Sequence, residues 1–344
     1  MRTSSLTARR RASIPPYRVL RLTGLALFSV VFSSGAQAWN ALGHRLVAAI
    51  AWEEMRADTR AATTRLLREH PDYPRWLKRA GEGTTAQDNE RRIFIESSTW
   101  PDEIRQDARF YSVGKGEPTP TLEGFPDMER RAGWHTVGIP LEGGFDATPI
   151  SGQLDRRLPE LIEALGRPGS GDVSANPLER IYALPWVIHL AGDSHQPLHT
   201  SARLQADGQW DKQGQGLDIR NPFNRRKPTS TLHVFWDDLP GTARLRGDKL
   251  DAAAHALATA HASVNRSTDT RRWIKENWQL ARNQAYPALT PETTEPVEID
   301  AAFYEASREI ADRRIAQAGF RLAAVLDAAF SASVRPPENH RNQR

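Results

Sequence analysis

The chain has 344 residues, no cysteine, and 46 Lys and Arg against 42 Asp and Glu. The lack of cysteine excludes both disulfide frameworks and thiolate metal sites. Six of the basic residues fall within positions 1–38, which carry no acid, so the other 306 residues hold 40 bases against 42 acids and bulk positive charge is excluded as a means of holding nucleic acid.

In chain order, Arg9, Arg10, Arg11, Arg18 and Arg21 precede a mostly apolar stretch, Leu22 to Phe32, and Ala36-Gln37-Ala38 comes after it. This pattern predicts an export signal over 1–38, cleaved before Trp39. Cleavage would free the Trp39 amine. That amine, the Trp39 carbonyl oxygen and the His44 imidazole together suit a zinc ion. No later apolar run is long enough to span a bilayer. The processed protein is therefore expected to be periplasmic or extracellular, with no membrane association and no obligate protein partner.

The rest of the chain is predicted to be helical almost throughout. Apolar residues Leu42, Val47, Ile50 and Ala51 place a helix over Ala41–Met55, and a second covers Thr59–Glu69, ending before Pro71. Glu90–Ser97 runs into Trp100-Pro101-Asp102. Leu154–Leu165 is stopped by Gly166 and Pro168. Pro177–Leu190 is strongly apolar, with Pro185 expected to kink it and Pro197 to end or bend the chain beyond it. Thr231–Leu239, Lys249–Val264, Thr270–Tyr286 and Ala301–Phe330 complete the set. Polar loops are expected over 111–133, 141–152 and 204–229, with no strand of any length. The fold class is all-α: a single multi-helix domain over 39–333 and a disordered tail over 334–344.

The chemistry sits on histidines and aspartates. His189 and Asp193 lie at i and i+4, as do His233 and Asp237, so each pair shares a helix face. One such pair is usually a surface contact. Two in largely apolar helices argue for a shared partner, because buried imidazoles and carboxylates need one. Pro197 would let His199 turn onto a neighbouring ion, while His135 and Asp102 flank a long loop. His195 points about 120° from His189 on an ideal helix and is expected to be structural. His70, His255, His261 and His340 are expected on the surface. Arg105, one turn beyond Asp102, is a candidate phosphate contact.

These motifs resemble, in order, those of the zinc-dependent S1/P1 nuclease family, within the wider group that includes bacterial zinc phospholipases C. The segments are Trp39-Asn-Ala-Leu-Gly-His44, Ser98-Thr-Trp-Pro-Asp102-Glu-Ile-Arg105, Trp134-His135, His189-Leu-Ala-Gly-Asp193-Ser-His-Gln-Pro-Leu-His199 and Leu232-His233-Val-Phe-Trp236-Asp237. The late run Ala-Gly-Phe-Arg-Leu-Ala, 318–323, also fits. The resemblance implies three Zn²⁺ ions. One would be held by Asp102, His135, His189 and Asp193. A second would take the Trp39 amine and carbonyl, His44 and a bridging Asp193. The third would use His199, His233 and Asp237.

It also implies catalytic roles for Asp102, Arg105 and Asp193, with single-stranded DNA or RNA cut to 5′-nucleotides and 3′-phosphates removed from nucleotides. The short Trp39-to-His44 gap and an Asp at 237 favour a nuclease over a phospholipase C, and nothing in the ligand set favours a non-catalytic zinc-binding protein. The substrate-binding candidates are Thr136, where the family often has a stacking aromatic, and Leu217 and Asp218 in the loop that resembles its base-reading Gly-Gly-Asn segment. With Thr136 and Leu217 in those places, base preference is expected to be broad.

Overall fold

The computed structural model describes residues 39–81, 83, 85–167, 177–289 and 296–332. The predicted signal over 1–38, the tail over 334–344 and His340 lie outside them. Eleven α-helices account for most of the described chain: α1 (Ala41–Glu54), α2 (Ala57–Glu69), α3 (Tyr73–Ala80), α4 (Ala86–Ser97), α5 (Trp100–Glu103), α6 (Leu154–Gly166), α7 (Pro177–Asp193), α8 (Leu232–Asp238), α9 (Asp248–Ala260), α10 (Thr270–Gln284) and α11 (Ala301–Ala332). The all-α class holds. No described helix is long and apolar enough to cross a membrane.

Two helices form the middle of the fold because they are apolar on every side. In α1 each residue from Leu42 to Trp52 is buried, and in α7 each from Ile181 to Asp193. Helix α1 packs on α11, α9, α4 and α7, while α7 packs on α6, α11, α2 and α5. The α1–α11 contact is close. A Cβ added at Gly319 would sit 2.6 Å from Ile50 Cβ and 3.1 Å from the Val47 carbonyl oxygen.

The ends of these helices are set locally. The Asn40 side chain caps α1 by accepting from the Leu42 and Gly43 amides, and Thr231 caps α8 by accepting from the Val234 amide. Helix α7 is α-helical through Pro185 and reaches Asp193, three residues past the predicted end. Pro197 then opens a short 3₁₀ turn, Pro197–Thr200, which carries His199.

The structure departs from the sequence reading in three places. Helix α3 occupies the expected turn after Pro71, with Pro74 in its first turn, where a missing amide costs nothing, and Trp76 buried. A three-stranded sheet stands where only loop was expected: β1 (Asp218–Arg220), β2 (Thr229–Thr231) and β3 (Val297–Glu298), in the order β2-β1-β3. β1 runs antiparallel to β2, with Asp218 opposite Thr231, and parallel to β3, with Ile219 opposite Val297. Strands of two or three residues are too short to show a period of two. Finally, His70 is buried rather than on the surface. It packs against Trp76, Trp100 and Phe125, its Nδ1 accepts from the Asp72 amide at 3.0 Å, and burial lowers its pKa to about 3.

The Gly319 contact gives a test of the α1–α11 interface. Gly319→Ala gains about 1 kcal/mol of helix propensity but overpacks a backbone-lined contact at a cost of about 1–3 kcal/mol. Net destabilisation is expected, read as a lower urea midpoint. A rise in that midpoint would show that the two helices separate easily.

Candidate metal centre

The crossing of α1 and α7 creates the site. His44 projects from α1 onto Gly192 of α7, where an added Cβ would come within 2.9 Å of His44 Nδ1. Only glycine leaves room for that ring, which stacks on His189 with centroids 3.8 Å apart. Around this pair the fold gathers His135 from the turn after Ala132–Trp134, Asp102 from α5, Asp193 from the end of α7, and His199, His233 and Asp237. Each is at least nine-tenths buried.

Their donor atoms converge. His135 Nδ1 lies 3.1 Å from Asp193 Oδ2 and 3.1 Å from His189 Nε2. His189 Nε2 is 3.4 Å from Asp193 Oδ2, and both it and His135 Nδ1 are 3.9 Å from Asp102 Oδ1. The other Asp193 oxygen, Oδ1, faces His44 Nε2 at 3.5 Å and His199 Nδ1 at 3.9 Å. His233 Nε2 lies 3.5 Å from Asp237 Oδ2, and the His199 and His233 rings stack at 5.0 Å. Three sets have donor atoms within 4.8 Å of one another: His44, Asp102 and His189; His135, His189 and Asp193; and His199, His233 and Asp237. Asp102 thus falls in a set with His44 and His189, whereas the resemblance implied His135, His189 and Asp193 as its partners, and His189 belongs to two sets.

The supporting contacts fix which ring nitrogen faces inward. Nδ1 of His189 bonds the Ser98 carbonyl at 2.8 Å, that of His199 the His135 carbonyl at 2.9 Å, and that of His233 the Gln213 carbonyl at 2.7 Å. Each ring is thereby held with Nδ1 protonated and Nε2 bare, the tautomer a metal ligand needs. Gln196 donates from Nε2 to Asp237 Oδ1 at 2.7 Å and accepts the Leu198 amide at 2.6 Å, coupling Asp237 to the turn that carries His199. Asp72 accepts Trp100 Nε1 at 2.7 Å and so anchors α5, two residues before Asp102. Gln196 lies inside the most diagnostic sequence run. The carbonyl partners leave no sequence signal, because every residue has a carbonyl.

Burial dictates the electrostatics. Desolvation holds His44 and His135 far below the ordinary imidazole pKa, with neighbouring imidazoles adding to it, and holds His189 at about 3. It also pushes Asp102 up to about 7 and raises Asp193 and Asp237 well above the ordinary carboxylate value; in Asp193 the neighbouring carboxylates add to the rise. The imidazoles are therefore neutral and ready to ligate. The carboxylates keep their protons unless a cation replaces them, so metal binding must release protons.

The residues fit zinc on their own geometry. Both nitrogens of His44, His135 Nε2 and Asp193 Oδ1 are buried and make no hydrogen bond among the described residues. Tetrahedral zinc with ligands at about 2.0–2.1 Å places neighbouring donors about 3.3 Å apart, close to the spacings found here. Arg105 sits at the edge, its Nη1 3.5 Å from Asp102 Oδ1.

The remaining candidates fare differently. Trp39 is fully buried, its Cβ pressed against Gly43, and the next amide, of Asn40, bonds the Asp237 carbonyl at 2.9 Å. The start of α1 is thus tied to the helix that carries His233 and Asp237. Thr136 is half-buried, and its carbonyl takes the amides of Gln153 and Leu154. Asp218 is exposed at the head of β1. Leu217 does not suit a substrate contact. It is buried in the apolar core and its carbonyl accepts the Leu232 amide at 2.9 Å. His195 is structural as expected, its Nδ1 on the Ala191 carbonyl at 2.7 Å and its Nε2 beside Arg321 at 3.1 Å.

A buried nest of imidazoles and carboxylates with an arginine at its rim defines a metal-dependent hydrolase of anionic esters. The S1/P1 nuclease family matches residues 39–331, and the chain belongs to that family. It is accordingly a zinc-dependent endonuclease, with nucleic acid as its substrate class. The chain is 25% identical to Endonuclease 5 of Arabidopsis thaliana over 315 residues, covering 87% of this chain and 92% of that protein. It is 29% identical to Endonuclease 4 of the same plant over 167 residues, 44% and 51% of the two chains. Nuclease S1 of Aspergillus oryzae is 26% identical over 180 residues, 45% and 56%.

Asp102 yields a pH test. Its carboxyl rises from 3.8 unfolded to about 7 in the fold, so the folded state binds the proton more tightly. In chelator-treated protein this stabilisation is complete below about pH 4 and is lost as pH rises through 7. Urea unfolding across pH 4–8 should show Asp102→Asn flattening that decline; an unchanged slope would remove Asp102 from the buried cluster.

Proposed function

We propose that this enzyme uses three zinc ions to hydrolyse phosphodiesters of single-stranded DNA and RNA to 5′-nucleotides, and that it also removes 3′-phosphates from nucleotides. The observation that carries the reading is the divided orientation of Asp193. One oxygen faces His135 and His189 and the other faces His44, as a carboxylate shared by two ligand sets would.

In this reading Asp102, His135, His189 and Asp193 hold one ion. The Trp39 amine and carbonyl, His44 and Asp193 hold a second, and His199, His233 and Asp237 a third. When bound, zinc supplies Lewis acidity that polarises a phosphoryl oxygen and makes water a nucleophile at neutral pH. The chain's own residues then decide orientation. Arg105 meets an equatorial phosphoryl oxygen and favours the extra charge of the transition state. Asp102 holds the Arg105 guanidinium toward the centre. The neutral imidazoles add no positive charge, so the phosphate at the centre is met by metal and Arg105. A flexible single strand can bend its backbone to donors this deeply placed, whereas a stacked duplex resists bending.

Export belongs to the same reading. Residues 1–38 act as the signal, and their removal frees the Trp39 amine beside α8, where the Asn40–Asp237 bond keeps it. The mature enzyme works in the periplasm or outside the cell. Thr136 and Asp218 remain candidates for the base, and with no aromatic at 136 base preference is broad.

Metal analysis of protein beginning at Trp39, paired with assays on single-stranded DNA and on phosphatidylcholine vesicles, tests this directly. Three zinc ions per chain and turnover of DNA alone are expected; lipid turnover would move the protein to the phospholipases. His189→Ala and Asp193→Asn should abolish turnover and lower zinc content, and full activity in either would contradict the ligand set. Arg105→Ala should lower kcat about 10²–10³-fold with zinc retained. Loss of zinc in that variant would make Arg105 a support of the metal site instead.

A further inference from the structure

A cleft of about 580 Å³ opens beside the metal centre, and its walls differ in chemistry. One end is formed by Ala41, at the start of α1, and by Asp102, whose Oδ1 lies 3.9 Å from both His135 Nδ1 and His189 Nε2. Helix α3 also lines the cleft, with Arg75, Lys78 and Arg79. These positions are i, i+3 and i+4, so they share one helix face. Glu103 is the only other acid on the lining.

The three cations are not equivalent. Arg75 is committed to Asp107, 2.6 Å from Nη1, with Asp72 at 3.7 Å. Arg79 is held by both oxygens of Glu103. Lys78 is exposed and has no ion-pair partner among the described residues. Helix α3 itself is fixed by buried Trp76 and by its packing on α4, so the ammonium is carried on a rigid support. With Arg75 held by Asp107 and Arg79 by Glu103, Lys78 is the cation of this wall left to meet an anion once Asp102 is neutralised.

We propose that this cleft is a subsite for the phosphate next to the one hydrolysed, with Lys78 as its principal contact. The inference rests on the nuclease reading above and adds to it how a strand, as opposed to a mononucleotide, is engaged. A polyanionic backbone with one phosphate at the metals must run its next phosphate along some wall of the site. The α3 wall is the cationic one that shares a residue, Asp102, with the centre. A mononucleotide with its one phosphate at the metals has no second phosphate to offer this wall. Efficiency should therefore rise from nucleotide to oligonucleotide, and the gain should weaken with salt as counterion release predicts.

The test compares Lys78→Glu and Lys78→Arg with wild-type holoenzyme on a 3′-nucleotide and on a short single-stranded oligonucleotide. Binding of a hydrolysis-resistant phosphorothioate strand is monitored in parallel by fluorescence anisotropy. Lys78→Glu should raise the oligonucleotide KM about tenfold and shift the 3′-nucleotide KM far less. It should also reduce the slope of log affinity against log salt by about one. Lys78→Arg should restore wild-type behaviour. Equal effects on both substrates, or unchanged strand binding in Lys78→Glu, would overturn the subsite while leaving the nuclease reading intact. Wild type that binds the strand through Lys78 but hydrolyses neither substrate would keep the subsite and sink the proposed reaction.

Discussion

The organising constraint is the presence of eight polar, ionisable side chains inside apolar helices that exclude water. His44 and His189 stack at the crossing of α1 and α7, and Asp193 lies one turn beyond His189. Desolvation of such groups is costly unless each finds a partner. Hydrogen bonds to protein satisfy the outward nitrogens of three of the rings and one oxygen of Asp237. Both nitrogens of His44, His135 Nε2 and Asp193 Oδ1 are left without a hydrogen bond among the described residues, and a positive charge in the cluster would give them a partner. Zinc dependence is therefore a condition on the core as well as on the chemistry.

This explains how support is distributed. The aspartates and imidazoles come from α1, α5, α7, α8 and two short turns, so no single element can form the site. Their orientation is relayed by groups that never meet a substrate: the Ser98, His135 and Gln213 carbonyls, the Gln196 amide, and Asp72 acting through Trp100. The loop before β1 also finds its purpose here. Asp211 accepts the Gly214 amide at 3.0 Å and the Tyr286 hydroxyl at 2.6 Å, which steadies the backbone whose Gln213 carbonyl holds His233.

The sequence made much of this legible, for identifiable reasons. Helical period and the i, i+4 offset placed His189 with Asp193 and His233 with Asp237, and Pro197 marked where the chain turns to deliver His199. The all-α class came from the apolar spacing of α1, the strongly apolar run of α7 and the lack of any alternating strand pattern in the sequence. The hidden features were decided by tertiary context. The sheet involves strands of two or three residues, β1 and β3 lying some 80 positions apart in sequence. Helix α3 begins with residues that ordinarily make a turn. His70 sits in a polar stretch yet is enclosed by Trp76, Trp100 and Phe125, and Leu217 lies in a glycine-rich loop that folds inward over the core.

Helix α1 carries His44 near the start of the described chain, yet its most extensive contact is with α11, the last helix. The two surfaces that meet at Ile50 and Gly319 are separated by most of the described chain. Long-range closure of this kind slows folding, because chain entropy is surrendered before any contact compensates for it. A chain that stops short of α11 leaves the back of α1 uncovered, so the core of the described residues closes only when α11 docks.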